Sequence, residues 1–504
     1  IFACALVLCA TLGPLVAVAV RAEAPGGLGP ADWAAIRFTL IQAALSAVFA
    51  TLLAVPVARA LARRQFPGRG ALITLLGAPF LLPVIVAVLG LLAVFGRNGW
   101  VNHGLIAVGL APIDIYGLPG VVLAHVFLNL PLAVRLLLQA WLSVPSERIR
   151  LAASLGFRPA DMRRHIEAVL LRETLPGLVL LIFLICTTSF AVALILGGGP
   201  RATTVELAIY QAFRFEFDLG RAALLGLVQV ALCLGAGALA FRFVRLARFG
   251  GGLDRAPHPW PGDSAARRVA DGVVLLLATV FLLLPLAAVA AKGVAPLPGL
   301  PPHVWEAATR SVAVALVSAC LAVALALPVA AIIARLDASG MVEAIGALGI
   351  AVSPLVIGTG AFILLFPLAD PARLALPVTG AINALVALPF LLRALVPEMR
   401  SAMALYGPLA EALGMTGGQR LRHAILPRLK RPLGFGAGLA AAFSMGDLGV
   451  IALFSAPGQG TLPLEMYRLM GSYRTDDAQG AALLLMALTL AVFWLFDRGG
   501  RVHD

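Results

Sequence analysis

Arg150-Leu-Ala-Ala-Ser-Leu-Gly156 and Pro408-Leu-Ala-Glu-Ala-Leu-Gly414 are two versions of one short text. Each is an Ala/Leu run closed by glycine, in a basic stretch between long apolar segments. The recurrence implies two related halves, each offering water the same kind of structured loop at the same place. A passive pore has no use for such a loop, whereas a pore moved by a separate motor needs one.

The repeat extends in both directions. Ser46–Pro56 reads SAVFATLLAVP and Ser318–Pro328 reads SACLAVALALP, and Ala-rich sequence runs on from them to Arg63 and Arg335. Asn129-Leu-Pro131 answers Ala387-Leu-Pro389, with Arg135 and Arg393 four residues beyond each proline. Further along, Thr204–Tyr210 loosely matches Thr461–Tyr467. Landmarks in the same order and the same membrane orientation make a parallel duplication, whose halves pack about an axis along the membrane normal with a pathway between them. The first half is 1–245 (core about 36–245) and the second 269–504 (core about 309–497), joined by a Gly/Pro-rich cytoplasmic linker at 246–268.

Hydrophobic residues make up 61% of the 504 and charged ones 12%, about half the charge of a soluble domain. Apolar stretches of about 20 residues, each able to cross a bilayer as a helix, recur throughout. They fall near 1–20, 36–61, 71–96, 119–141, 174–197, 222–245, 270–291, 311–334, 344–367, 376–397, 433–455 and 480–497. The chain reads as an all-α membrane protein of about twelve transmembrane helices in two parallel repeats. Residues 1–20 are read as a retained first helix rather than a signal peptide, since no small-residue cleavage motif stands out.

The net charge of +13 is almost all arginine, Lys292 and Lys430 being the lysines. Arginines crowd alternate loops, while the intervening loops hold Glu206, Glu216, Asp218, Glu465, Asp476 and Asp477. The positive-inside rule then places the Arg-rich loops, the linker and both termini in the cytoplasm. The basic residues track helix ends and form no aromatic-flanked patch, which argues against nucleic acid. Cys4, Cys9, Cys186, Cys233 and Cys320 sit inside apolar runs without metal-ligand spacing, so no metal site is expected.

The stretches 142–173 and 398–430 read as broken amphipathic helices bent at Gly156 and Gly414. Such an elbow can lie across the helix ends and offer an edge to a partner, or rest on lipid headgroups. Its presence at equivalent places in both halves favours the partner. These elbows resemble the Glu-Ala-Ala loop of permease subunits in binding-protein-dependent ABC importers. Gly414 and Pro427 have the family's spacing and Ala410 its second alanine. In the first copy Gly156 and Ala152 match, but Val169 stands in place of the proline, and Arg150 and Pro408 replace the leading Glu.

The resemblance covers nearly the whole chain and implies a type I ABC importer permease fold in the bacterial inner membrane. It also implies two ATP-binding subunits docked at the elbows, through Ala152, Gly156, Phe157, Arg163, Ala410, Gly414, Met415, Leu421 and Pro427, and a periplasmic binding protein that delivers the cargo. Gly197–Ala212, Phe66–Arg69, Ala124–Pro131 and Gly471–Arg474 are similar to the thiamine-importing branch, which implies thiamine or its phosphates as cargo. Fused iron(III) importer permeases share the architecture.

The chain carries no Gly-Lys-Ser/Thr of a P-loop, no nucleophile–base set and no cofactor motif. ATP is therefore expected to be used by the partner, and the chain itself is not expected to be an enzyme. Gly197–Gly199 with Thr203 and Thr204 forms either a phosphate cradle or a helix stop, the stop being favoured. Among the polar groups inside spans (Gln42, His125, Asn129, Gln229, Asn383 and Asp447), most are expected to satisfy neighbouring helices. Asp447, with Ser189 at the equivalent position and Phe190 beside it, is the candidate lining of the path; pairing of Asp447 with another helix, or a place near the interface, is the competing reading. A secondary transporter also has twelve spans in two halves, but needs no elbows and usually holds more buried charge.

Overall fold

The computed structural model describes residues 2–22, 27–76, 81–197, 199, 202–243, 264–335, 352–456 and 458–501. Among these the chain is helical and no strand occurs. The first half comprises α1 (Phe2–Arg21), α2 (Pro30–Arg63), α3 (Arg69–Leu75), α4 (Val84–Phe95), α5 (Trp100–Ala107) and α6 (Leu118–Leu142). It continues through α7 (Ser146–Ser154), α8 (Pro159–Met162), α9 (Ala168–Thr187), α10 (Ala191–Leu196), α11 (Val205–Arg214) and α12 (Leu219–Phe243). The second half repeats the order with α13 (Ala265–Gly293), α14 (Pro302–Arg335), α15 (Pro354–Leu365), α16 (Ala375–Ala412), α17 (Gly417–Gln419), α18 (Leu426–Met445), α19 (Gly449–Phe454), α20 (Leu462–Gly471) and α21 (Thr475–Arg501).

These helices form because a bilayer leaves each backbone N–H and C=O no partner but its own segment. Their interior prolines fall at equivalent places: Pro14 in α1 and Pro285 in α13, Pro56 in α2 and Pro328 in α14, Pro131 in α6 and Pro389 in α16. Within each half the long helices pack side by side, α2 along α6 and α14 along α16. Their contact faces are small: Ala43, Ala47, Ala50, Ala54 and Ala58 on α2, and Ala315, Ala319, Ala322 and Ala326 on α14, are all buried. Small residues let membrane helices approach closely, where packing rather than water exclusion drives association.

The halves are interlocked. The first helix of each packs on the other half, α1 on α15 and α13 on α4. Both crossings are Gly–Pro contacts, Gly360 against the carbonyl of Pro14 and Gly90 against that of Pro285.

Among the described residues, ten helices are long and apolar enough to cross a membrane, and several predicted spans are interrupted. The span 71–96 is divided between α3 and α4, with 77–80 outside the described residues. The first part of 344–367 also lies outside them, and the rest is the twelve-residue α15. Spans 174–197 and 433–455 are each broken, at Thr188–Phe190 and at Gly446–Leu448, where polar and glycine residues interrupt the apolar run. Of the predicted linker, 246–263 lies outside the described residues, and 264–268 caps and begins α13. The two elbow stretches also differ. α6 stops at Leu142, whereas α16 continues unbroken from Ala375 to Ala412. The first copy has Val144-Pro145 where the second has Ala402-Met403, and a residue before proline is steered away from helix.

Candidate coupling elbows and the path between the halves

The two elbows have one geometry. Gly156 has φ +66° and Gly414 φ +61°, a left-handed turn that side chains resist and glycine does not. The Phe157 N–H donates to the Ala152 carbonyl and the Met415 N–H to that of Ala410, both at 2.9 Å. The chain then enters a new helix whose first turn is tied back in both copies. Arg158 N–H donates to Asp161 Oδ2 and Thr416 N–H to Gln419 Oε1, each at 2.9 Å. Both copies continue as a short π-helix, at Arg163–Glu167 and Arg420–Ile425.

The predicted elbow residues divide by position. Ala152 and Ala410 are each 2% exposed and face inward. Phe157 and Met415 are half-buried under the bend, and Arg163, Leu421 and Pro427 are exposed. Ala410, Met415 and Pro427 share a cleft of about 290 Å³ with Leu409, Tyr406 and Arg428. Sequence reasoning misses the outward apolar face. Leu151 and Leu155 are 59% and 64% exposed, and their equivalents Leu409 and Leu413 are 55% and 62% exposed. Leucines four apart stand on one helix face, and that spacing is the available signal.

Behind the first elbow, Arg59 pairs with Glu167 at 2.8 Å, and Arg63 and Arg64 both pair with Asp271, at 2.5 and 2.7 Å. The repeat places Ala331 and Ile425 where Arg59 and Glu167 stand; Ile425 belongs to the apolar core and Ala331 packs against it, partly buried. An ion pair in one half is thus replaced by two apolar residues in the other.

The two helix breaks lie at the junction of the halves. The carbonyls left free where α9 ends accept from side chains, Cys186 O from Gln42 Nε2 at 3.0 Å and Thr187 O from Gln229 Nε2 at 2.9 Å. Asn129 donates to His125 O, and Asn383 to Ser444 Oγ. Phe190 is buried, its ring edge-on to Tyr210 at 5.2 Å, and it reaches the second half, where a Cβ on Gly449 would lie 3.5 Å from it. Asp447 accepts from Val450 N–H at 3.4 Å and Ile451 N–H at 3.3 Å, and so caps α19. Ser189 and Asp447 are both half-buried and share no hydrogen bond among the described residues.

α11 and α20 are anchored identically. Val205 N–H donates to Thr39 Oγ1 at 2.9 Å, and Leu462 N–H to Ser311 Oγ at 2.8 Å. In the Gly197–Thr204 stretch, Gly198, Pro200 and Arg201 lie outside the described residues, and Thr204 caps α11 through Leu207 N–H. Glu206, expected as an acid of an outer loop, is fully buried, and neither carboxylate oxygen has a hydrogen-bond partner among the described residues. Burial pushes its carboxyl up to about 8, with the Ser353 hydroxyl opposing. The repeat has Pro463 at this position.

Two interlocked helical halves, with paired elbows at one end and broken helices where the halves meet, define a multi-pass membrane permease. No family model matches the chain. It is 40% identical to the thiamine transport system permease protein of Brucella abortus, over 98% of this chain and 94% of that protein. The corresponding protein of Salmonella typhimurium is 39% identical over 98% and 95%, and that of Escherichia coli 41% over 92% and 89%. The chain belongs to the family of thiamine transport system permease proteins.

Proposed function

We propose that this chain is the permease of an ATP-driven importer for thiamine or its phosphates, in the bacterial inner membrane with both termini cytoplasmic. The near full-length similarity to thiamine transport permeases carries the reading. The doubled elbow supports the mechanism: each elbow seats in one of two ATP-binding subunits, which use ATP, while this chain has no ATPase site of its own. A periplasmic binding protein releases cargo to the opposite end. Closure of the ATPases against Gly156–Arg163 and Gly414–Pro427 turns the halves as rigid bodies, because Ala152 and Ala410 are buried and the Phe157 and Met415 amides bond back to their carbonyls. Ser189, Phe190 and Asp447 line the opening between the halves.

The test is ATP-dependent uptake of labelled thiamine in proteoliposomes holding the permease, its ATPase and its binding protein. Uptake of iron(III) instead of thiamine, or uptake without ATP, overturns the proposal.

A further inference from the structure

The Glu206 carboxyl group is fully buried without a hydrogen-bond partner among the described residues. Buried polar groups are nearly always paired, and one that is not asks for a reason. The repeat gives no structural one. α20 is anchored through the same amide-to-hydroxyl bond as α11, yet it carries Pro463 at this position. The acid is therefore not needed to build the helix.

Its surroundings are specific. α11 packs on α15 and α19 of the second half. Ser353, the cap of α15, is its polar neighbour. One turn along α11, Tyr210 stands edge-on to Phe190 at the break. Phe213 meets Phe362 of α15 at 4.6 Å, and Phe362 meets Phe454 of α19 at 5.6 Å. Two cations border the cluster, and both bond to the second half: Arg214 donates to Ser455 O and Arg468 to Ala456 O. While buried the Glu206 carboxyl keeps its proton, since burial raises it to about 8; contact with water and a cation favours its ionised form, and a carboxylate beside aromatic rings is suited to a flat organic cation.

We propose that Glu206 is the charge-recognising residue of the path: as the halves part, its carboxylate faces the opening and pairs with the ring cation of a permanently charged heteroaromatic cargo. The inference rests on the thiamine reading above, and it assigns cation selectivity to the permease as well as to the binding protein.

The experiment compares uptake of thiamine with uptake of a neutral isostere whose ring nitrogen cation is replaced by carbon. Both are delivered by the same binding protein to the assembled transporter in proteoliposomes. Glu206→Gln is expected to lower the thiamine-to-isostere uptake ratio by about tenfold or more, as loss of a buried charge partner does. If Glu206→Gln lowers both alike, or neither, the proposal is overturned. If that variant does not assemble with its ATPase, Glu206→Leu, which also removes the charge, decides by the same ratio, an unchanged value overturning the proposal. Wild-type transporter that takes up neither compound overturns the thiamine reading itself, an outcome distinct from a normal wild type with an unaltered variant ratio.

Discussion

The carbonyl oxygen of Pro14 lies 2.1 Å from where a Cβ on Gly360 would sit. Gly90 stands in the same relation to Pro285, at 2.6 Å. Each crossing joins the first helix of one half to the other half, so the two glycines set how closely the interlocked bundle can close. Backbone atoms cannot swing aside as a side chain tip can. Gly360→Ala and Gly90→Ala are each expected to lower stability by about 1–3 kcal/mol, the usual cost of overpacking. Gly235→Ala on α12, where the added atom meets nothing within 4 Å, is the control. Apparent melting temperatures in detergent check this, and equal values for all three variants would remove the crossing from the account.

The elbow leucines are expected to bind rather than to build. Leu409→Asp with Leu413→Asp should abolish co-purification of the ATPase subunit. Permease stability should stay within about 0.5 kcal/mol, as is usual for exposed positions. Gly414→Val acts differently: at φ +61° a side chain costs about 1–2 kcal/mol, so this variant should lose both elbow order and coupling. Retention of ATPase by the double aspartate variant would return the elbows to the lipid surface.

The Arg59–Glu167 pair invites a swap that borrows the residues of the other half. Arg59→Ala alone leaves a nearly buried carboxylate unpaired and is expected to cost about 1–3 kcal/mol. Arg59→Ala with Glu167→Ile copies Ala331 and Ile425 and should recover most of that loss, since a buried ion pair exchanged for apolar packing is often neutral. A double-mutant cycle by thermal unfolding reads the coupling directly, and additive losses would mean the two halves pack differently here.

The helices and their doubling are legible because membrane spans announce themselves by length and composition, and Gly156 and Gly414 by their place after an Ala/Leu run. What the sequence hides follows from three-dimensional neighbours. The break at Thr188–Phe190 sits inside a run apolar enough to read as one span, and it is held open by Gln42 and Gln229 from distant helices. Glu206 lies in a short polar-looking stretch between spans, and only the approach of α15 and α19 buries it. Leu151 and Leu409 escape a sequence reading because apolar residues are assumed to face inward, whereas here the inward face belongs to alanine.

Orientation is open to direct measurement. The α5–α6 connection, at the end opposite the elbows, exposes Val108, while Ala266 begins α13 beside the elbow end. In a cysteine-free background, a membrane-impermeant thiol reagent applied to intact cells is expected to label Val108→Cys and to miss Ala266→Cys. The reverse pattern would invert the assignment of cytoplasmic termini.

Asp447 has two roles that a pair of substitutions separates. As a cap it accepts from the Val450 and Ile451 amides, and Asp447→Ala should cost about 1 kcal/mol of stability, as lost caps do. Asn is itself a good capping residue, so Asp447→Asn should leave stability nearly unchanged. It removes only the charge, next to the junction where Phe190 meets Gly449. If that charge offsets part of the desolvation of a cationic cargo in passage, a loss of about 1 kcal/mol in the barrier step slows uptake roughly fivefold. The binding protein's own affinity for cargo should not move, because Asp447 belongs to the permease. The measurement is initial uptake rate for both variants in assembled transporter, set beside their melting temperatures. Wild-type uptake by Asp447→Asn, with a stability loss confined to Asp447→Ala, would make Asp447 a helix cap alone and leave the recognition of charge to Glu206.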